Sequence, residues 1–265
     1  MPMLNRLLPM ACMALLASCK TAAPMPAPVV PEPVLTPEQL AERQELDQDR
    51  LFARSFQDAI RYPMRALSGA HWVGKFEYVF TIDRNNRLVS CALGPTTRAE
   101  TQALPYNPEL ARAMAPLCWT IVLAELAARR FGDKAQATIV APIVVNLEQE
   151  AGSMAFYARS QARKDYFRQQ LMAMESFDSI GSASITTLSD AQGVLQSCSV
   201  KLEPHRYRPA AFKQDDALQA RLTERCQRLD LRQVPGFKVS RQSPVTQTVT
   251  LSYSPWVNGV PYTVQ

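Results

Sequence analysis

Apolar and polar positions first fall into a regular pattern at Gly74. From there to Ile82, Phe76, Tyr78, Phe80 and Ile82 alternate with Lys75, Glu77 and Thr81, the period of a strand buried on one face. Asp83, Arg84, Asn85 and Asn86 read as a turn, and Arg87 to Leu93 returns as a second strand, completing a β-hairpin. The period then lengthens: Pro108 opens a helical stretch through Leu110, Met114, Leu117 and Val122 towards Ala128, and Ala137 to Leu147 closes the unit as a third strand. Upstream, Thr36, Pro37 and Gln39 form a helix start, with Thr as the cap, Pro at the first helical position and an amide three residues after the cap. A charged, Gln-rich helix is predicted from there to about Ile60.

The hairpin pattern recurs 107 positions later. Gly74, Asp83, Leu88, Ser90 and Cys91 fall on Gly181, Asp190, Leu195, Ser197 and Cys198 without a gap, and Gly193 replaces Asn86 in the turn. One added residue brings Leu110 and Cys118 onto Leu218 and Cys226, and the third strand recurs as Thr246 to Tyr253. Joint agreement of hairpin, helix, last strand and both cysteines implies an internal duplication. The expected fold is α+β, with two tandem modules that are each a small three-stranded antiparallel sheet packed by a helix. The expected boundaries are a helix over 36–61, a first module over 62–150, a linker helix over 151–178 and a second module over 179–265. The linker, around Phe156 to Phe177, reads as a packing spacer.

The N-terminus carries a different pattern. Met1 to Arg6 holds one positive charge, and Leu7 to Leu16 is an apolar run too short to span a bilayer but suited to a signal peptide ending at residue 18. Leu16, Ala17, Ser18 and Cys19 follow and resemble the lipobox of bacterial lipoproteins. That resemblance implies cleavage before Cys19, lipidation of its thiol and, with Lys20 where an inner-membrane retention signal would have Asp, placement at the periplasmic face of the outer membrane. Cys12 is the competing cysteine but lies inside the apolar run. The alternative is an ordinary secretory signal with an incidental cysteine. Residues 19–35 then form a lipidated tether, because Pro24, Pro26, Pro28, Pro31 and Pro33 restrict the backbone to extended geometry. Thr21 to Leu35 could reach roughly 45 Å at about 3.1 Å per residue.

Composition narrows the remaining classes. No later segment is apolar for long enough to cross a membrane. Without Arg6, 28 basic side chains stand against 24 acidic ones, spread along the chain and without the basic stripe that nucleic acid requires. Four cysteines remain after the leader and Cys19, allowing three connectivities. In each copy one cysteine ends the hairpin and the other lies on the following helix, which favours Cys91 with Cys118 and Cys198 with Cys226 in an oxidising compartment. A metal site is the rival reading, but neither a close cysteine pair nor a histidine beside one is present; His71 and His205 are the only histidines. No metal or cofactor is expected.

The stretch from Tyr62 to Leu147 resembles the C-terminal domain of TonB-type proteins. The resemblance rests on Tyr62-Pro63 with Arg65-Ala66, Gly74 opening the strand Phe76 to Ile82, the turn Asp83 to Arg87, and the order of helix and final strand. Two features depart from the pattern: the Ser-Gly step after the second strand is absent, and the aromatic ending of the helix is echoed only by Arg129 to Gly132. The resemblance implies that an extended peptide binds along the edge of the last strand, where unpaired backbone groups supply affinity. Pro142 is expected to interrupt the first copy's last strand. Gln247 to Tyr253, which has no proline, is the preferred docking strand, with Gln247, Val249, Leu251 and Tyr253 as its named positions; the alternative is that both edges are covered, by the other copy or by the Trp256 tail. True TonB transducers keep a transmembrane helix, whereas this chain would keep a lipid, which implies an adaptor rather than a force transducer.

Catalysis is not expected. No GxSxG, HExxH or Gly-rich phosphate loop occurs, and Asp215-Asp216 and Glu148 with Glu150 sit where charge is commonly solvated. The expected function is a lipid-anchored adaptor that binds envelope proteins, either outer-membrane receptor or transport components. A structural subunit of a transenvelope transport or secretion assembly and a cell-wall enzyme are the alternatives.

Overall fold

The computed structural model describes residues 35–67, 72–96, 104–146, 151–237, 244–257 and 263–264. The leader, Cys19, nearly all of the tether, His71, Glu148 and Glu150 lie outside the described residues. Helix α1 (Pro37–Ala66) runs past Ile60 and through Pro63, whose missing donor falls in its last turn. It buries Phe52, Phe56 and Ile60, which are spaced to share one helix face. Phe56 meets the rings of Tyr78 and Phe80 edge-on at 5.7 and 5.5 Å. Strand β1 (Val73–Asp83) is central and antiparallel to both β2 (Leu88–Gly94) and β3 (Gln136–Asn146). As the alternation requires, Phe76, Tyr78, Phe80 and Ile82 are buried.

Three expectations for this half need correction. Strand β3 is not interrupted: it passes through Pro142, paired with Glu77, because β3 is an edge strand and can tolerate a missing donor. The helix expected to approach Ala128 is short. Asn107 caps α2 (Pro108–Met114), its Oδ1 accepting from the amides of Glu109 and Leu110 at 3.1 and 3.0 Å. Pro116 then lacks the N–H that would continue the α-helix, and the chain tightens into a 3-10 turn over Ala115–Trp119. Finally, the first sheet has four strands. Strand β7 (Thr263–Val264) lies parallel to β2, opposite Ala92 and Leu93.

The second half repeats the first, including its opening helix. Helix α3 (Ala151–Met172) is not a spacer: Phe167, Leu171 and Met172 are buried in the second core, as Phe52, Phe56 and Ile60 are in the first. At the hairpin's 107-residue offset, Ile60 falls on Phe167. Strands β4 (Gly181–Ser189), β5 (Leu195–Pro204) and β6 (Val245–Tyr253) take the order β5-β4-β6, matching β2-β1-β3, and α4 (Asp216–Cys226) follows the hairpin. The turns agree in atomic detail. Asp83 Oδ1 accepts from the amides of Asn85 and Arg87 at 2.9 and 2.8 Å, and Asp190 Oδ1 accepts from those of Gln192 and Val194 at the same distances. Both turns need a positive φ, +56° at Asn86 and +83° at Gly193, and these residue types adopt it most readily.

Each half is fastened internally. Cys91 bonds Cys118 and Cys198 bonds Cys226, with Cα atoms 5.7 and 5.8 Å apart, tying the first hairpin to the 3-10 turn after α2 and the second to the end of α4. Two separate hydrophobic cores result, yet the halves interlock within one compact unit over 37–265. Ile180 and Trp256, which flank strands of the second sheet, are buried in the first core, and the Trp256 indole donates to the Ile121 carbonyl at 3.1 Å.

Candidate functional site: sheet edges and the cleft between the halves

A strand edge offers backbone donors and acceptors to an incoming chain only where nothing else has taken them. At the end of the β2 edge, β7 pairs with Ala92 and Leu93. On β5, the outward amide of Val200 donates to Thr223 Oγ1 at 3.3 Å and that of Leu202 to Gln219 Oε1 at 3.0 Å, so side chains of α4 cap this edge at those two positions. The β3 edge carries Pro142, which has no donor. On β6, no group among the described residues meets the backbone of the edge facing away from β4.

The four positions named on β6 are placed differently from one another. Val249, Leu251 and Tyr253 are buried in the second core and Gln247 is half-buried, so they cannot serve as the contact face. Thr246, Thr248 and Thr250 point to the other face and are exposed. Docking on this strand would therefore use its backbone and the threonines between the named positions. Of the paired carboxylates, Asp215 is the N-cap of α4, accepting from the Leu218 amide at 2.8 Å.

A cleft of about 780 Å³ lies between the halves, walled by α1, α3, the segment after β5 and the outer face of the second sheet. On one wall Asp58 accepts from Arg206 at 2.8 Å and from the Tyr207 hydroxyl. The Tyr207 hydrogen bond, followed by the Arg206 charge, holds the Asp58 carboxyl below the usual range. Beside it, His205 is buried, and burial with flanking Arg206 and Arg208 pushes its pKa down to about 4. Its Nδ1 accepts from the Tyr207 amide at 3.4 Å, and Arg208 reaches across to the Asn86 carbonyl at 3.1 Å.

On the α1 and α3 walls the cleft is basic, through Arg54, Arg61, Lys164 and Arg168. Burial and the neighbouring Arg168 charge lower the Lys164 pKa, and burial lowers that of Arg168. The Lys164 ammonium lies 5.5 Å from the centre of the Tyr62 ring, so the Tyr62-Pro63 step of the sequence motif forms part of this wall. Sequence reading missed the cleft because its cations are scattered over more than a hundred positions. The signal that could have found it is the spacing of Arg54 from Arg61 and of Lys164 from Arg168, which puts each pair on one face of a helix.

Among the described residues no helix is long and apolar enough to cross a membrane, and no cluster of His, Cys, Asp or Glu could hold a metal ion. Comparison with family models, with curated proteins and with solved structures returns no match to this chain.

Proposed function

We propose that this protein is a lipid-anchored adaptor of the bacterial cell envelope that recruits an extended segment of another envelope protein by strand addition to β6. The observation that carries this reading is the state of the four edges. The β2 edge is met at Ala92 and Leu93 and the β5 edge at Val200 and Leu202, that of β3 includes a proline, and that of β6 is long, free of proline and unmet among the described residues. A nine-residue edge presents a full ladder of main-chain groups, and exposed threonines beside it tolerate a range of partner side chains. The likeness of Tyr62 to Leu147 to TonB C-terminal domains points the same way. The anchor and the outer-membrane location rest on the run from Met1 to Lys20, which ends its apolar stretch at a lipobox-like Cys19.

The test is site-specific crosslinking in living cells from Thr246, Thr248 and Thr250, with Ser199 and Lys201 on the capped β5 edge as controls. Capture of one discrete envelope protein from β6 alone supports the proposal. Equal capture from both edges, or none, overturns it. Replacing Cys19 by Ser should release the protein from the membrane fraction, and unchanged fractionation would remove the anchor from the reading.

A further inference from the structure

We propose that the basic cleft and an apolar hollow beside it form one site for an anionic amphiphile, a molecule with a phosphate or carboxylate head on a hydrocarbon chain. The cleft supplies the head site. Its carboxylates are already committed: Asp58 to Arg206 and Tyr207, and Glu203 to Lys201 at 2.8 Å. Among the described residues, Arg54 and Arg61 feel Asp58, and Lys164 feels Asp165, only at longer range than a direct ion pair, and Arg168 has only Asp165, at 3.4 Å. Lys164 is half-buried beside Arg168. Burial and the Arg168 charge oppose its ammonium more than Asp165 supports it, and an anion between the two cations would relieve that cost.

The second half of the site is chemically different. A hollow of about 560 Å³ opens between α1, the α2 segment and α3, and Ala113, Met114, Pro116, Ala158, Ala162 and Met172 give it a mostly apolar lining. The two spaces share a wall formed by Pro63, Leu117, Thr120, Gln161 and Arg168. Arg168 thus stands at the seam, and its buried Nε has no hydrogen-bond partner among the described residues. The Asp165 carboxylate, also on the hollow's lining, is held by Gln161 at 2.9 Å and by Arg168. A chain in the hollow would thus place its head against Arg168 and Lys164. Both spaces fall in the size range of ligand sites, roughly 300 to 1,000 Å³.

Titration of the purified protein with dodecyl phosphate below its micellar concentration should saturate at one molecule per chain. Affinity should exceed that for inorganic phosphate and for dodecyltrimethylammonium by at least about tenfold. Lys164→Gln and Arg168→Gln should each weaken dodecyl phosphate about tenfold or more with an unchanged circular dichroism spectrum, while Arg43→Gln, remote on α1, should not. Ala162→Phe, which fills the hollow from an exposed position, should weaken dodecyl phosphate but not inorganic phosphate. Equal affinity for inorganic phosphate, equal affinity for the cationic amphiphile, or full binding by Lys164→Gln and Arg168→Gln together would each overturn the proposal.

Discussion

Removing the two disulfides one at a time tests whether the halves are as interdependent as their packing implies. The bridges close loops of nearly equal length, with separations of 27 and 28 residues. Loop-closure entropy therefore assigns each about 3.5 kcal/mol. Alanine is the right replacement, because all four cysteines are at most 4% exposed and a serine would bury an unsatisfied hydroxyl. All three tryptophans report on the first core, Trp119 and Trp256 from within it and Trp72 packed against it. Backbone circular dichroism reads both halves. If the second half supports the first through Ile180 and Trp256, then Cys198→Ala with Cys226→Ala should shift the fluorescence and dichroism midpoints together. A denaturant transition in which tryptophan fluorescence keeps its wild-type midpoint while dichroism is lost earlier would show independent halves and refute the argument.

Three further outcomes follow from single residues. Trp256→Ala removes a nearly buried indole and its hydrogen bond from the first core, and should cost about 3–5 kcal/mol in denaturant unfolding; a loss under about 1 kcal/mol would contradict that burial. His205, with its folded pKa near 4 against 6.5 unfolded, leaves the unfolded chain binding more protons between those values. Stability should therefore fall as pH drops from 6.5 to 4, by up to about 3 kcal/mol, and His205→Asn should flatten the melting profile over that window. Gly181→Ala would drive a Cβ into the Tyr253 hydroxyl and ring and should lower the melting temperature more than Gly132→Ala, where the Cβ meets open space and only the +50° φ opposes the substitution.

The parts of the fold legible in the sequence are those in which side-chain chemistry dictates geometry. The alternation of β1, the Asp-led turns and the cysteine spacing each constrain the chain locally, and each recurs at one offset. Helix α3 was misread because its two sides do different work. Tyr157 meets Tyr62 and Arg65 of the first half while Phe167 and Leu171 enter the second core, so no single apolar stripe marks it as a core element. Strand β7 has only two residues, too short for any period to show.

The candidate site was harder to read for a related reason. Whether an edge is open depends on which other element reaches it, and that information is split between distant segments. Thr223 and Gln219 look like ordinary helix-surface residues until α4 lies across β5, where they accept from its outward amides. Disrupting those caps provides the corresponding test. Thr223→Val with Gln219→Leu should leave the Cys198–Cys226 bridge and the second core in place but return two backbone donors to β5. If an unmet edge is what selects β6, crosslinkers at Ser199 and Lys201 in that variant should begin to capture the β6 partner. If they remain silent while β6 still captures it, the threonine face rather than the open backbone determines docking, and the strand-addition argument fails.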